Sequence, residues 1–199
     1  MEYNPKRIFY LERYYLDLVQ HQGANETYKR EKFLVLLSEL FPAQKDEVAK
    51  YIEGSETRVV IKTKPGKGSI DAYYGNLIIE FERDLSIRAK YEEGRRQVCE
   101  YVSGLWNEEG KNRRHYIGIV TDGLTWTCWH PRTIQGLSEL KPSDIELVPK
   151  EEIILTSAEP SALEEFYHFL DRIDDVLFII HKDNTPMTEM EFGFRLEMG

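Results

Sequence analysis

Between residues 68 and 83 the chain reads GSIDAYYGNLIIEFER, with carboxylates at Asp71, Glu80 and Glu82. In an extended strand residues two apart share a face, so Glu80 and Glu82 project together while Ile79 and Phe81 point the other way. Tyr74-Gly75-Asn76 is a turn signal, because Gly and Asn tolerate positive φ, and a hairpin there can carry Asp71 back beside the glutamates. Three carboxylates converging at the end of a small sheet repel one another strongly. A divalent cation that takes hard oxygen ligands, Mg²⁺ or Mn²⁺, resolves that repulsion. Such an ion can polarise a phosphodiester, lower the pKa of an attacking water and stabilise the leaving oxygen. An isolated E-x-E is more often charge on a solvent face, but apolar strand residues flank this hairpin on both sides and a long helical stretch follows at once.

The elements that must position these residues are legible as periodicities. Residues 6–20 place Ile8, Leu11, Tyr15, Leu18 and Val19 at helical spacing. After the polar break HQGANET, residues 29–41 read as a second helix with Phe33, Leu36, Leu37 and Leu40 on one stripe and Pro42 ending it. Residues 57–63 (TRVVIKT) are a β-branched strand, followed by a turn at residues 64–68 and by two strands, 69–73 and 77–82, on either side of the hairpin turn. Residues 86–106 form a long charged helix and 116–120 (YIGIV) a buried strand. Thr121-Asp122-Gly123 is a turn, and 124–129 returns as another strand. Residues 145–148 and 153–156 are short edge strands, and 161–173 is a helix carrying Leu163, Phe166, Phe169, Leu170 and Ile173, with Ser161 as its cap. The order ααβββαββ followed by a helical tail predicts an α/β domain with a mixed sheet.

The ordered set of residues resembles the core motif of the PD-(D/E)XK nuclease superfamily, in which Asp and Glu from a hairpin hold the catalytic metal. The resemblance spans roughly residues 25–130. Gln97-Val-Cys-Glu-Tyr101, on the helix after the hairpin, is similar to the Q-x-x-x-Y motif of RecB-like nucleases. Asn25-Glu26-Thr27-Tyr28-Lys29-Arg30 looks like the segment that supplies a helix-borne Glu to the same metal. Thr121-Asp122-Gly123 with Trp126 resembles the T-D-G-x-x-W hairpin of several restriction-modification polypeptides. The resemblance implies a restriction-endonuclease-like core, a central mixed β-sheet flanked by helices. It implies Glu26, Asp71 and Glu80 as ligands of Mg²⁺ or Mn²⁺, and Gln97 and Tyr101 as groups that steady the site or touch DNA.

One departure stands out: the family usually has Lys two residues after the Glu, where this chain has Glu82. A minority of active restriction endonucleases resemble it in using E-x-E. Residues 58–67 hold four bases and no acids. Lys62, on the strand itself, is the first choice for the missing positive charge, with Lys64 and Lys67 as DNA contacts; the same residues could be a basic surface strand. Arg83 falls on the other face of an ideal strand. Arg88, Lys90, Arg95 and Arg96 add basic character to the long helix, suited to phosphate contact, although Glu92 and Glu93 interrupt it. Taken singly, Glu26 could merely complement a helix dipole, and Tyr101 could be a core residue.

Composition bounds the remainder. From Asp144 onward there are fourteen acids and four bases, a balance of -10, which leaves 21 acids and 22 bases in the first 143 residues. The overall charge of -9 therefore belongs to the tail, and a near-neutral body with basic clusters can bind a polyanion. No stretch approaches the roughly 18 apolar residues of a membrane helix, and the start, MEYNPKRIFYLERYY, has no signal-peptide apolar region. Cys99 and Cys128, without metal-ligand spacing, fit a reducing cytoplasm. His115, His130, His168 and His181 are scattered and carry no chemistry. The expected division is a nuclease-like domain over 1–156 and an acidic helical tail or connector over 157–199. The polar, uncapped end EMEFGFRLEMG suggests a piece of a longer polypeptide.

Likeness to the nuclease modules that precede adenine-specific methyltransferases implies DNA and a methyltransferase domain, on the same or an associated polypeptide, as partners. No glycine-rich cofactor loop or N-P-P-Y sequence is present. The expectation is a metal-dependent DNA endonuclease of a restriction-modification system. The alternatives are a catalytically degenerate nuclease fold that binds DNA, and a protein-interaction module.

Overall fold

A computed structural model describes residues 4–44, 57–60, 67–70, 72–74, 77–109, 116–133 and 139–183; residues 44, 57–60, 67–70, 72–74, 109, 133 and 173–183 are described by their backbone. The chain is an α/β protein with a mixed sheet flanked by helices.

Helix α1 spans Pro5–Gln20, with Asn4 as its cap: the Asn4 side-chain oxygen accepts from the Lys6 and Arg7 amides at 3.1 and 3.3 Å. It buries Ile8, Leu11, Tyr14 and Leu18. The buried stripe thus runs through Tyr14 rather than Tyr15, and Val19 is exposed. A period of 3.6 residues fits either neighbour, and a hydrogen bond decides between them, Tyr14 donating its hydroxyl to the Gly123 carbonyl at 2.9 Å. Helix α2, Glu26–Leu40, begins three residues before the expected start because Asn25 caps it, accepting from the Tyr28 amide at 2.9 Å. It ends just before Pro42, as expected.

Strands β1 (Thr57–Val60) and β2 (Lys67–Ile70) form a separate antiparallel pair. The main sheet consists of β3 (Ala72–Tyr74), β4 (Leu77–Phe81), β5 (Ile117–Thr121), β6 (Thr125–Thr133) and β7 (Ile145–Ile154), paired in that order. Pairing is antiparallel except between β4 and β5, which are parallel. A parallel pair needs a crossover, and helix α3, Arg88–Glu109, supplies it. Within the expected strand 69–73, β2 covers residues up to Ile70 and β3 those from Ala72, and Asp71 lies outside the described residues. One expectation differs. The two short edge strands are a single one, β7, which runs through Pro149. Pro can sit there because β7 is the sheet edge, where a missing N–H costs no ladder bond.

Alternation along β4 divides the core in two. Leu77, Ile79 and Phe81 join α1, α2 and helix α4 (Pro160–Asp183) in one cluster, whereas Ile78 joins Val98, Tyr101, Val102 and Leu105 of α3 in the other. Trp126, fully buried, sits among Phe33, Phe81, Phe166 and Phe169, with ring centroids 4.6 to 6.2 Å away. The boundary expected at residue 156 therefore falls just before a helix whose Leu163, Phe166, Phe169 and Leu170 belong to the main core. Those residues pack against α1, α2 and the sheet. Ser161 lies inside α4 and not at its cap, since the helix starts at Pro160. Among the described residues no helix is long and apolar enough to cross a membrane.

Helix α3 lies unusually close to the sheet. A Cβ on Gly118 of β5 would fall 2.4 Å from Val98 Cγ1, and one on Gly94 of α3 would fall 2.5 Å from Val120 Cγ1 and 3.2 Å from Glu82 Cγ. The Thr121-Asp122-Gly123 turn that follows β5 is held by its own side chains. Asp122 accepts from the Leu124 and Thr125 amides at 3.0 and 2.8 Å and from the Leu85 amide at 2.9 Å. Gly123 has φ of 90°, and its carbonyl also accepts from the Trp126 indole at 3.0 Å. Trp126 is thus a packing residue, as its expected position after the turn suggests.

Candidate active site at the end of the central parallel strands

The side chains of Glu80 and Glu82 lie on the α3 face of the sheet, by their parity with Ile78 and by the contact between Glu82 Cγ and the Gly94 position. Only 4% of Glu80 and 3% of Glu82 is exposed. Carboxylates are rarely buried to this degree without a counter-charge or a metal. The Glu82 amide donates to the Thr121 carbonyl at 2.7 Å, continuing the β4–β5 pairing by one residue and fixing the backbone that carries the carboxylate.

Burial pushes the Glu82 pKa up to about 7; Lys90 works against the shift, while Glu93 and Glu26 reinforce it. Lys90, from the first turn of α3, stands 3.5 Å from Glu82 Oε2 and 2.9 Å from Glu93 Oε2. Glu26, the first residue of α2, is thus near enough to act on Glu82 through its charge. Lys90 thus stands between Glu82, just past the end of β4, and Glu93 of α3.

Gln97 and Tyr101 are on α3, as expected. Tyr101 is buried in the α3-side core. The Gln97 side-chain oxygen is shut off from solvent with no hydrogen-bond partner among the described residues. Arg96 is not turned toward the carboxylates: it pairs with Glu100 one turn further along the helix. Nor do the α3 cations form one stripe. Arg95 pairs with Glu92 and lies 5.8 and 5.9 Å from the Tyr91 and Trp129 ring centroids. Lys67 opens β2 and is described by its backbone; Asp71, Lys62 and Lys64 lie outside the described residues. Among the described residues no three His, Cys, Asp or Glu side chains are grouped to hold a metal ion.

Two residues stand closer to the site than their place in the sequence indicates. Lys90 was one charge among several on a helix, yet it is seven residues before Gln97 and eleven before Tyr101, and the helical period puts all three on one stripe. The other is Lys29, next to the capping segment. Although it is 4% exposed, its ammonium donates to the Arg83 carbonyl at 2.5 Å. Burial holds its pKa below the usual lysine value, a shift that Asp122, Asp84 and Glu26 partly offset. Lys29, Arg83, Asp84 and Asp122 line a cavity of about 250 Å³ beyond the carboxyl ends of β4 and β5. Open α/β sheets place ligands at this end of their parallel strands. The chain matches no family model, no curated protein and no solved structure.

Proposed function

We propose that this chain is a metal-dependent DNA endonuclease domain of the PD-(D/E)XK type, working within a restriction-modification system beside an adenine-specific methyltransferase. The observation that carries the reading is the pair Glu80 and Glu82, two buried carboxylates on one face of a central strand, covered by the helix that bears Gln97 and Tyr101.

The strand register supports bringing in the third acid. In the β3–β4 ladder Tyr74 pairs with Leu77, Tyr73 with Ile78 and Ala72 with Ile79. Asp71 directly precedes β3, and the proposal takes it as the acid that joins Glu80. Hard carboxylate oxygens of this kind fit Mg²⁺ or Mn²⁺. When bound, the ion would lower the pKa of the attacking water and neutralise charge on the phosphodiester.

The chain's own residues do the rest. Asp71 and Glu80 bind the ion, with Glu26 at the start of α2 as a further oxygen donor. Glu82 projects from the same face beside Glu80, in the position that the family usually fills with Lys. Gln97 and Tyr101 fix the helix side of the site, and Lys62, Lys64 and Lys67 meet the DNA backbone. The acidic residues of α4 do not obstruct the approach, because that helix packs on the opposite face of the sheet from Glu80 and Glu82.

A second reading, a nuclease fold that binds DNA without cutting it, draws support from the Glu82–Lys90 ion pair, which neutralises part of the site internally. Plasmid cleavage separates the two. Under the nuclease reading Mg²⁺ or Mn²⁺ supports cleavage, EDTA abolishes it, and Asp71→Asn and Glu80→Gln each remove it while leaving the fold intact. Binding of duplex without cleavage in either metal selects the degenerate fold.

A further inference from the structure

We infer that Lys90 is the phosphate-contacting cation of this site, delivered from α3 to the place where the strand itself carries Glu82. The inference rests on the nuclease reading and adds a residue to it. A phosphodiester brought against Glu80 and Glu82 carries negative charge toward two buried carboxylates, so a cation besides the metal is needed to hold it. The described cations at this end of the sheet are mostly engaged elsewhere. Arg83 donates to the Gly23 carbonyl, Lys29 to the Arg83 carbonyl, and Arg96 is paired along the helix with Glu100. Lys90 instead stands within 3.5 Å of the Glu82 carboxylate, with its side chain 37% exposed and therefore open to a ligand.

Two further observations agree. An ammonium has three donor hydrogens, and the two carboxylates it faces, Glu82 and Glu93, leave one for a non-bridging phosphate oxygen. Along the same stripe, the solvent-excluded Gln97 oxygen lacks a hydrogen-bond partner among the described residues. Lys90 also screens the repulsion between Glu82 and Glu93, which fixes its ammonium in position before substrate arrives.

The test measures affinity for a duplex of arbitrary sequence by fluorescence anisotropy in Ca²⁺ at several salt concentrations, with cleavage rates in Mg²⁺ alongside. Lys90→Ala should weaken binding roughly five- to tenfold at 0.1 M salt and make the slope of log affinity against log salt shallower by about 0.9, the signature of one lost phosphate contact. Cleavage should fall further than binding, and Lys90→Arg should restore the salt slope. A purely structural lysine would lower the unfolding temperature without moving that slope. Should Lys90→Ala fail to fold, Lys90→Gln, which keeps a long polar side chain, carries the same expectation. Wild-type slope and cleavage in Lys90→Ala, with both lost in Lys62→Ala, would assign the charge to Lys62 and overturn the inference while the nuclease reading stands. Absence of both binding and cleavage in the wild type would overturn the two together.

Discussion

Gly118 on β5 and Val98 on α3 set how closely the helix that covers Glu80 and Glu82 approaches the sheet, and Gly118→Ala forces the two apart. The new methyl would start 2.4 Å from Val98 Cγ1, whereas carbon atoms in comfortable contact are about 3.5–4.0 Å apart. Something must move by more than about 1 Å, and Val98 is fully buried and stiff about χ1. Overpacking of this kind costs about 1–3 kcal/mol, offset by roughly 0.5–1 kcal/mol because Ala is preferred to Gly inside a strand. A net loss of about 1–2 kcal/mol is expected. Val98→Ala alone removes two buried methyl groups and leaves a small cavity, about 2 kcal/mol. In the double variant the methyl at 118 enters the space vacated by Val98 Cγ1. Its loss should therefore be about 1 kcal/mol and not the sum of about 3–4, a coupling of roughly 2–3 kcal/mol. Urea unfolding of the four proteins measures this directly. Additivity within about 0.5 kcal/mol would show that the helix does not lie on the sheet through this contact.

Glu82 gives a pH signature. Its folded pKa of about 7 lies above the ordinary glutamate value of 4.5, so the folded state binds the proton more tightly and stability falls as pH rises from about 4.5 to 7. The loss attributable to this one group is on the order of 3 kcal/mol. The stability of the wild type relative to Glu82→Gln should fall by that amount between pH 4 and 8 in urea titrations; a flat difference would contradict the burial. Asp122→Ala removes acceptors for three backbone amides, those of Leu85, Leu124 and Thr125, and should cost about 2–4 kcal/mol in thermal unfolding. A loss under about 0.5 kcal/mol would mean that water replaces the carboxylate. Tyr14→Phe should cost about 1 kcal/mol through the bond to the Gly123 carbonyl, with no change in secondary structure by circular dichroism.

The parts of the fold that depend on local rules were legible. Strand parity put Glu80 and Glu82 on one face, and the Asp122-Gly123 signal marked a turn that Asp122 then holds by side-chain bonds. The parts that depend on partners were not. Whether Tyr14 or Tyr15 is buried turns on a carbonyl more than a hundred residues away. The continuity of β7 through Pro149 follows from its place at the sheet edge, which periodicity does not reveal. The helical stripe of Leu163, Phe166, Phe169 and Leu170 was legible, but its docking into the main core was not, because periodicity does not name the surface that an apolar stripe meets. At the site, Lys90 looked like one cation of a mixed helix. Its relation to Glu82 arises only once Gly94 and Gly118 let α3 settle onto the strands.

Titration calorimetry of Mn²⁺ into the wild type, Asp71→Asn and Glu80→Gln tests the carboxylate site most directly. The expected result is one binding event in the wild type that both variants lose, with all three unfolding at similar temperatures in EDTA. Unchanged Mn²⁺ binding in Glu80→Gln, or no binding by the wild type, would contradict a metal centre built on Asp71 and Glu80.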